Sequence, residues 1–127
     1  MKEQTEVGKL KEGRYVVIDE EPCSILGITH SKPGKHGSAK ARIDAVGIFD
    51  GQKRSIVFPV SSKIYVPIVE RKRAQVLSIS GDVVQLMNMD DYSQFELKIA
   101  PEDSGKVKVG GEVQYLTSMG KMKFDIR

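Results

Sequence analysis

The chain has one cysteine, Cys23, in 127 residues. A lone thiol excludes an intramolecular disulfide and any zinc site built from several cysteines, and it suits a reducing compartment. No apolar run approaches the length needed to span a bilayer. The opening Met1-Lys2-Glu3-Gln4-Thr5-Glu6 is polar and acidic with no apolar stretch behind it, so no secretory leader is expected. These absences predict a cytoplasmic protein with no membrane partner. No stretch keeps a convincing helical period, so any helix is short, around Ala100 to Ser104. There is no nucleophile–base–acid triad and no cluster of metal ligands. The expectation is a non-enzyme with no metal and no bound cofactor.

What is present reads as an ordinary globular chain, with 39% hydrophobic and 29% charged residues. The net charge of +3 is unevenly placed. Residues 1–69 hold 11 Lys/Arg against 8 Asp/Glu, and residues 70–127 hold 9 against 9. Within the first half, Pro22 to Ile43 contains no acid, yet carries Lys32, Lys35, Lys40, Arg42 and both histidines. A local field of one sign steers polyanions toward it.

Period-two patterns dominate. In the first half, Tyr15–Ile18, Ser24–His30, Ala41–Phe49, Ser55–Phe58 and Ile64–Val66 read as about five short strands of a small barrel-like domain. Asp50-Gly51 reads as a two-residue hairpin turn, and Pro67 places its strand near an edge or an end. In the second half, Ala74–Ile79, Val83–Met87, Tyr92–Ile99, Glu112–Thr117 and Lys121–Ile126 predict five strands, which fits an OB-like barrel. The last two form a hairpin around Met119-Gly120. The boundary falls near Val69-Glu70-Arg71. It lacks the Gly/Ser/Pro of a flexible linker, so the domains 1–69 and 70–127 are expected to join almost directly.

The loop Ser31-Lys32-Pro33-Gly34-Lys35-His36-Gly37-Ser38-Ala39-Lys40 is built to project something. Pro33 stiffens its approach, and Gly34 and Gly37 permit backbone angles that a Cβ discourages. Lys35 stands between the glycines with little steric cover. A phosphate-cradling P-loop fails here, because Gly27 lies too far from Gly34 and His36 stands where a hydroxyl should be. A basic hairpin that lies against nucleic acid remains open, with Lys32, Lys40 and Arg42 as candidate phosphate contacts.

The string Pro33 to Lys40 resembles the modification loop of the translation factor 5A family, the hypusine-containing proteins. The likeness continues in Lys11–Tyr15, Glu20–Cys23, Ala41–Gly51 and Ala74–Val76. Pro33 and the short N-terminus resemble the archaeal form. The resemblance implies an all-β chain of two small barrels, an SH3-like N-terminal barrel followed by a C-terminal OB-fold. It implies that Lys35 receives an aminobutyl group from spermidine through deoxyhypusine synthase, becoming deoxyhypusine, which some organisms then hydroxylate to hypusine. The partners it implies are the ribosome, through rRNA and peptidyl-tRNA, and the function is promotion of peptide-bond formation at stalled sites such as proline runs. The alternative is an unmodified RNA-binding module that uses the same basic loop.

Other residues invite simpler readings. Cys23 lacks the orienting group that a Cys–His pair with His36 would need, and reads as a small buried hydrophobe. His36 suits either a contact with a base or the modifying enzyme, or a turn-stabilising role. His30 reads as structural. Met87, Met89, Met119 and Met122 read as core or inter-barrel packing. Arg71-Lys72-Arg73 suits either rRNA contact or a solvated strand end. Sparse aromatics and balanced charge argue against the second half binding single strands strongly by itself.

Overall fold

The computed structural model describes residues 2–31 and 39–126. The chain divides into two compact units, Met1–Ile68 and Val69–Arg127, and two residues separate the last strand of one from the first strand of the other.

The first unit contains β1 (Lys2–Glu6), β2 (Tyr15–Ile18), β3 (Glu21–Ser31), β4 (Lys40–Gly47), β5 (Lys53–Pro59) and β6 (Lys63–Pro67), with a 3-10 turn at Val7–Lys9. Strands β2-β3-β4-β5 form an antiparallel sheet, and β1 pairs with β6. β4 shows why this sequence makes strands. Ala41, Ile43 and Ala45 point inward and are buried, while Lys40 and Arg42 point out. Val16, Ile18, Cys23 and Ile25 meet them from β2 and β3, and Val7, Leu10 and Ile64 complete the core. The result is the SH3-like barrel.

Two local features shape this sheet. β3 joins β2 through a two-residue turn in which Asp19 (φ 51°) and Glu20 (φ 64°) both take left-handed angles, as the twist of a tight hairpin demands. The β3–β4 register shifts between Ile25 and Gly27, a bulge that leaves Leu26 54% exposed. The β4–β5 connection runs over the five residues 48–52, not the two expected from Asp50-Gly51. Its geometry is held by Asp50, which accepts hydrogen bonds from Gln52 N (3.0 Å) and from both terminal nitrogens of Arg54 (3.1 and 2.8 Å). Gly47 makes room for this pair, because a Cβ there would stand 1.9 Å from Asp50 Oδ1.

The second unit contains β7 (Glu70–Ser80), β8 (Val83–Asn88), β9 (Gln94–Lys98), β10 (Glu112–Ser118) and β11 (Lys121–Phe124). Their order in the sheet is β11-β10-β7-β8-β9. Counted within the unit this is fifth, fourth, first, second, third, with a short 3-10 helix (Pro101–Lys106) between third and fourth: the OB-fold arrangement. Its core is Ala74, Val76, Val84, Leu86, Ile99, Val107 and Tyr115. The four methionines lie outside that buried set. On β8 the inward phase belongs to Val84, Leu86 and Asn88, which puts Met87 on the other face, and Met122 is 40% exposed.

Candidate functional site

Lys35, with Lys32, Pro33, Gly34, His36, Gly37 and Ser38, lies outside the described residues. What the structure describes is the base on which that segment stands. β4 is paired on both sides. Its first residue, Lys40, stands opposite Ser31 of β3 and Pro59 of β5. One residue earlier, the Ala39 carbonyl accepts a hydrogen bond from Val60 N–H (3.0 Å), and the Val60 carbonyl accepts one from Gly8 N–H (2.8 Å). Directly below these feet, Ala41 and Ile43 have no exposed surface. The described residues that flank 32–38 are therefore tied to the barrel, Ser31 to β4 through Lys40 and Ala39 to Val60. On the β3 side, Glu12 Oε1 accepts from Ile28 N–H at 3.4 Å, just past the bulge.

Among the candidate cations, Lys40 is exposed and makes no ion pair among the described residues. Arg42 is placed differently. Its Nε lies 3.3 Å from Asp44 Oδ1, the next outward position on β4, and Ser55 Oγ donates to the same oxygen at 2.5 Å. The Ser55 hydroxyl first, and then Arg42, hold the Asp44 carboxyl below its ordinary range. The acid-free window of the sequence ends one residue short of this partner. Reading β4 in steps of two would have found it, since Arg42 and Asp44 share a face. The Arg42 side chain is still 59% exposed, and its contact with Asp44 is made through Nε.

His30 is exposed near the end of β3 and faces Ala41 across the ladder; its side chain makes no hydrogen bond or ion pair among the described residues, so its structural part is its place in the strand. Cys23 is fully buried, donates its thiol to the Glu21 carbonyl (3.4 Å), and is pushed up by burial, which Arg54 partly offsets. A buried, protonated thiol is a core group and not a nucleophile. Arg71-Lys72-Arg73 follows the boundary directly and forms the largely exposed start of a strand. It lies within β7, where Arg71 pairs with Asp125, Lys72 with Glu70 (4.0 Å) and Arg73 with Glu112 (3.1 Å). Among the described residues no three His, Cys, Asp or Glu side chains group as metal ligands would, and no helix is long and apolar enough to cross a membrane.

Comparison with known proteins covers both units. Residues 2–62 match the family described as translation initiation factor 5A-like, N-terminal. Residues 68–126 match the one described as eukaryotic elongation factor 5A hypusine, DNA-binding OB fold. Translation initiation factor 5A of Methanoregula boonei is 67% identical over 125 residues, 98% of this chain and all of that one. Its counterpart in Archaeoglobus fulgidus is 63% identical over 125 residues, 98% of each chain. The solved structure of the factor from Methanococcus jannaschii superposes with a TM-score of 0.88 at 46% identity, covering 97% of this chain and 94% of that one.

Proposed function

The chain belongs to the translation initiation factor 5A family, and from that premise we propose that it acts as a cytoplasmic, non-enzymatic translation factor whose working group is a modified Lys35. In this reading deoxyhypusine synthase transfers the aminobutyl group of spermidine to Lys35 Nζ, breaking its bond to the secondary nitrogen and releasing 1,3-diaminopropane, which gives deoxyhypusine; hypusine arises only where a separate oxidative enzyme hydroxylates that product. The factor then binds the ribosome beside the peptidyl-tRNA and promotes peptide-bond formation where synthesis stalls.

The observation that carries the reading is the base of loop 31–40. A segment anchored at Ser31 and at Ala39 to a barrel with fully buried side chains can hold an amine against a partner without moving its own foundation. Four chain steps separate Ser31 from Lys35, a reach of at most about 14 Å, and the added aminobutyl group would roughly double the lysine stem. A lysine amine attacks only when deprotonated, against an ordinary pKa of about 10.4. In the proposed reaction the modifying enzyme must therefore strip the proton by enclosing the side chain, which the flanking Gly34 and Gly37 permit. On the ribosome the arm would act by positioning reactants, an effect worth up to about 7–11 kcal/mol in favourable cases without any acid or base from the factor. Lys32, Lys40 and Arg42 would hold phosphates around it. The division of labour we propose places the modification loop in domain 1–69 and the OB-fold in domain 70–127.

Lys35→Arg tests this, because it keeps the charge and removes the amine to be alkylated. The expected result is loss of synthesis through proline runs in a reconstituted translation assay, with affinity for RNA nearly unchanged. Intact mass of the protein from its own cells should exceed the bare chain by one aminobutyl group, with or without a hydroxyl. A bare mass with full activity would leave the unmodified RNA-binding module as the better account.

A further inference from the structure

We infer that the first unit carries a second site, a cleft that binds single-stranded RNA through Lys9, Lys11, Arg14 and Tyr15. The cleft encloses about 420 Å³ between β1, the segment following the 3-10 turn, the start of β2, and Val66 of β6. Three cations line it against one carboxylate, Glu3. Lys9, Lys11 and Arg14 are exposed, and none makes an ion pair among the described residues, in contrast to Arg42, Arg54, Arg71 and Arg73. Unpaired cations gathered in a concave surface focus a field on whatever anion enters.

The segment that presents them is braced. Arg14 N–H donates to the Lys11 carbonyl (3.2 Å), Gly13 N–H to the Ile25 carbonyl (3.0 Å), and the Arg14 carbonyl accepts from Ile25 N–H (2.8 Å). Gly13 takes φ +80°, which lets the chain turn there. Glu12, the acid inside this turn, is drawn off to Ile28 N–H and does not line the cleft. The one carboxylate that chain order would put between Lys11 and Arg14 thus sits on the β3 side of the turn, outside the cleft lining. Tyr15, half-buried at the start of β2, adds an aromatic wall. Cations that follow a backbone together with an aromatic face that accepts any base are the pattern of single-strand binding.

Position sets the site apart. The braced turn runs beside β3 as far as Ile28, three residues before the rung at Ser31 where loop 31–40 begins, about 10 Å along the strand. Tyr15 itself pairs with Ser24, seven residues before Ser31, so the cleft lies about 23 Å along β3 from the loop base and forms a site separate from it. This inference does not rest on modification of Lys35 and is tested without it.

The test uses the full chain produced in a host without deoxyhypusine synthase, and fluorescence anisotropy of a labelled oligouridylate across a salt series. The triple variant Lys9→Ala/Lys11→Ala/Arg14→Ala should bind at least tenfold more weakly. Its slope of log K against log salt should shrink by about 2, at about 0.7 per lost phosphate contact. Tyr15→Leu should weaken binding at least fivefold with the slope unchanged. The control Lys53→Ala/Lys108→Ala, which removes exposed cations elsewhere, should match the parent; thermal melting confirms that each variant is folded. An unchanged slope in the triple variant, or an equal loss in the control, overturns the site. Tripolyphosphate that competes as well as the oligonucleotide, with no effect of Tyr15→Leu, overturns RNA as the ligand and leaves a simple phosphate site.

Discussion

Asn88 shows how much a single side chain settles. It is 4% exposed, and its Nδ2 donates to Tyr115 Oη at 2.6 Å, while its Oδ1 accepts from the N–H groups of Asp90 (2.7 Å) and Asp91 (3.0 Å). The same residue closes the β8–β9 turn and ties it to β10, and Tyr115 in turn packs on Phe95 with ring centroids 4.8 Å apart. Tyr115→Phe leaves a buried amide donor without its acceptor, so we expect a loss of about 1–2 kcal/mol in chemical denaturation. The sequence reading passed over Asn88, because a polar residue at an inward phase looks like the end of a strand. Asp44 supports a prediction of a different kind. Its folded pKa is lowered, so its contribution to stability is present above the ordinary carboxylate value and is lost as pH falls through the folded one. Comparing melting temperatures of the parent and Ser55→Ala should show a gap at pH 6 that closes below about pH 4.

Among the elements, those bounded by strong turns were legible in the sequence and those held by partners were not. The Met119-Gly120 hairpin is present, with φ of 52° and 79° at its two central residues, and a short 3-10 helix follows Ala100 as expected. β1 was missed because Lys-Glu-Gln-Thr-Glu has no apolar alternation. Its strand character comes from the ladder it makes with β6, where Thr5 stands opposite Ile64. The start of β7 was missed for a similar reason, since Arg71 to Arg73 earn their place through β10 and cross-strand acids. Val7 N–H donates to the Ser62 carbonyl, so the alternation of an antiparallel ladder gives Thr5 N–H to Ile64. Thr5→Pro removes that donor. Cys23, buried in the same barrel, reports the result: a thiol reagent should label the variant several-fold faster than the parent under native conditions. Equal rates would mean that β1 contributes nothing to holding the barrel shut.

At the scale of the molecule, the two-barrel plan could be read from counted strands and from the likeness of residues 33–40 to one family, and the fold agrees with it. The core of each barrel is drawn from its own residues, so a strand count made separately in each half was enough to recognise both. The methionines and the partner of Arg42 were not legible. Their placement depends on which face of a strand turns inward, and a window of sequence does not state that phase. The family likeness at Lys35 was legible because its motif is local. A few glycines and one lysine within residues 33–40 carry it whatever the rest of the chain does.

The surplus residue in β3 has a further consequence. Leu26 sits where the ladder slips, with Ile25 facing Ala45 before it and Gly27 facing Asp44 after it. Excising Leu26 would restore regular alternation while every buried neighbour kept its side of the sheet. A bulge bends and twists its strand, so the straightened β3 would deliver the hairpin end along another heading. A chain lacking Leu26 should melt close to the parent yet stall at proline runs, which would make the bearing of the lysine, apart from its presence, something that translation reads.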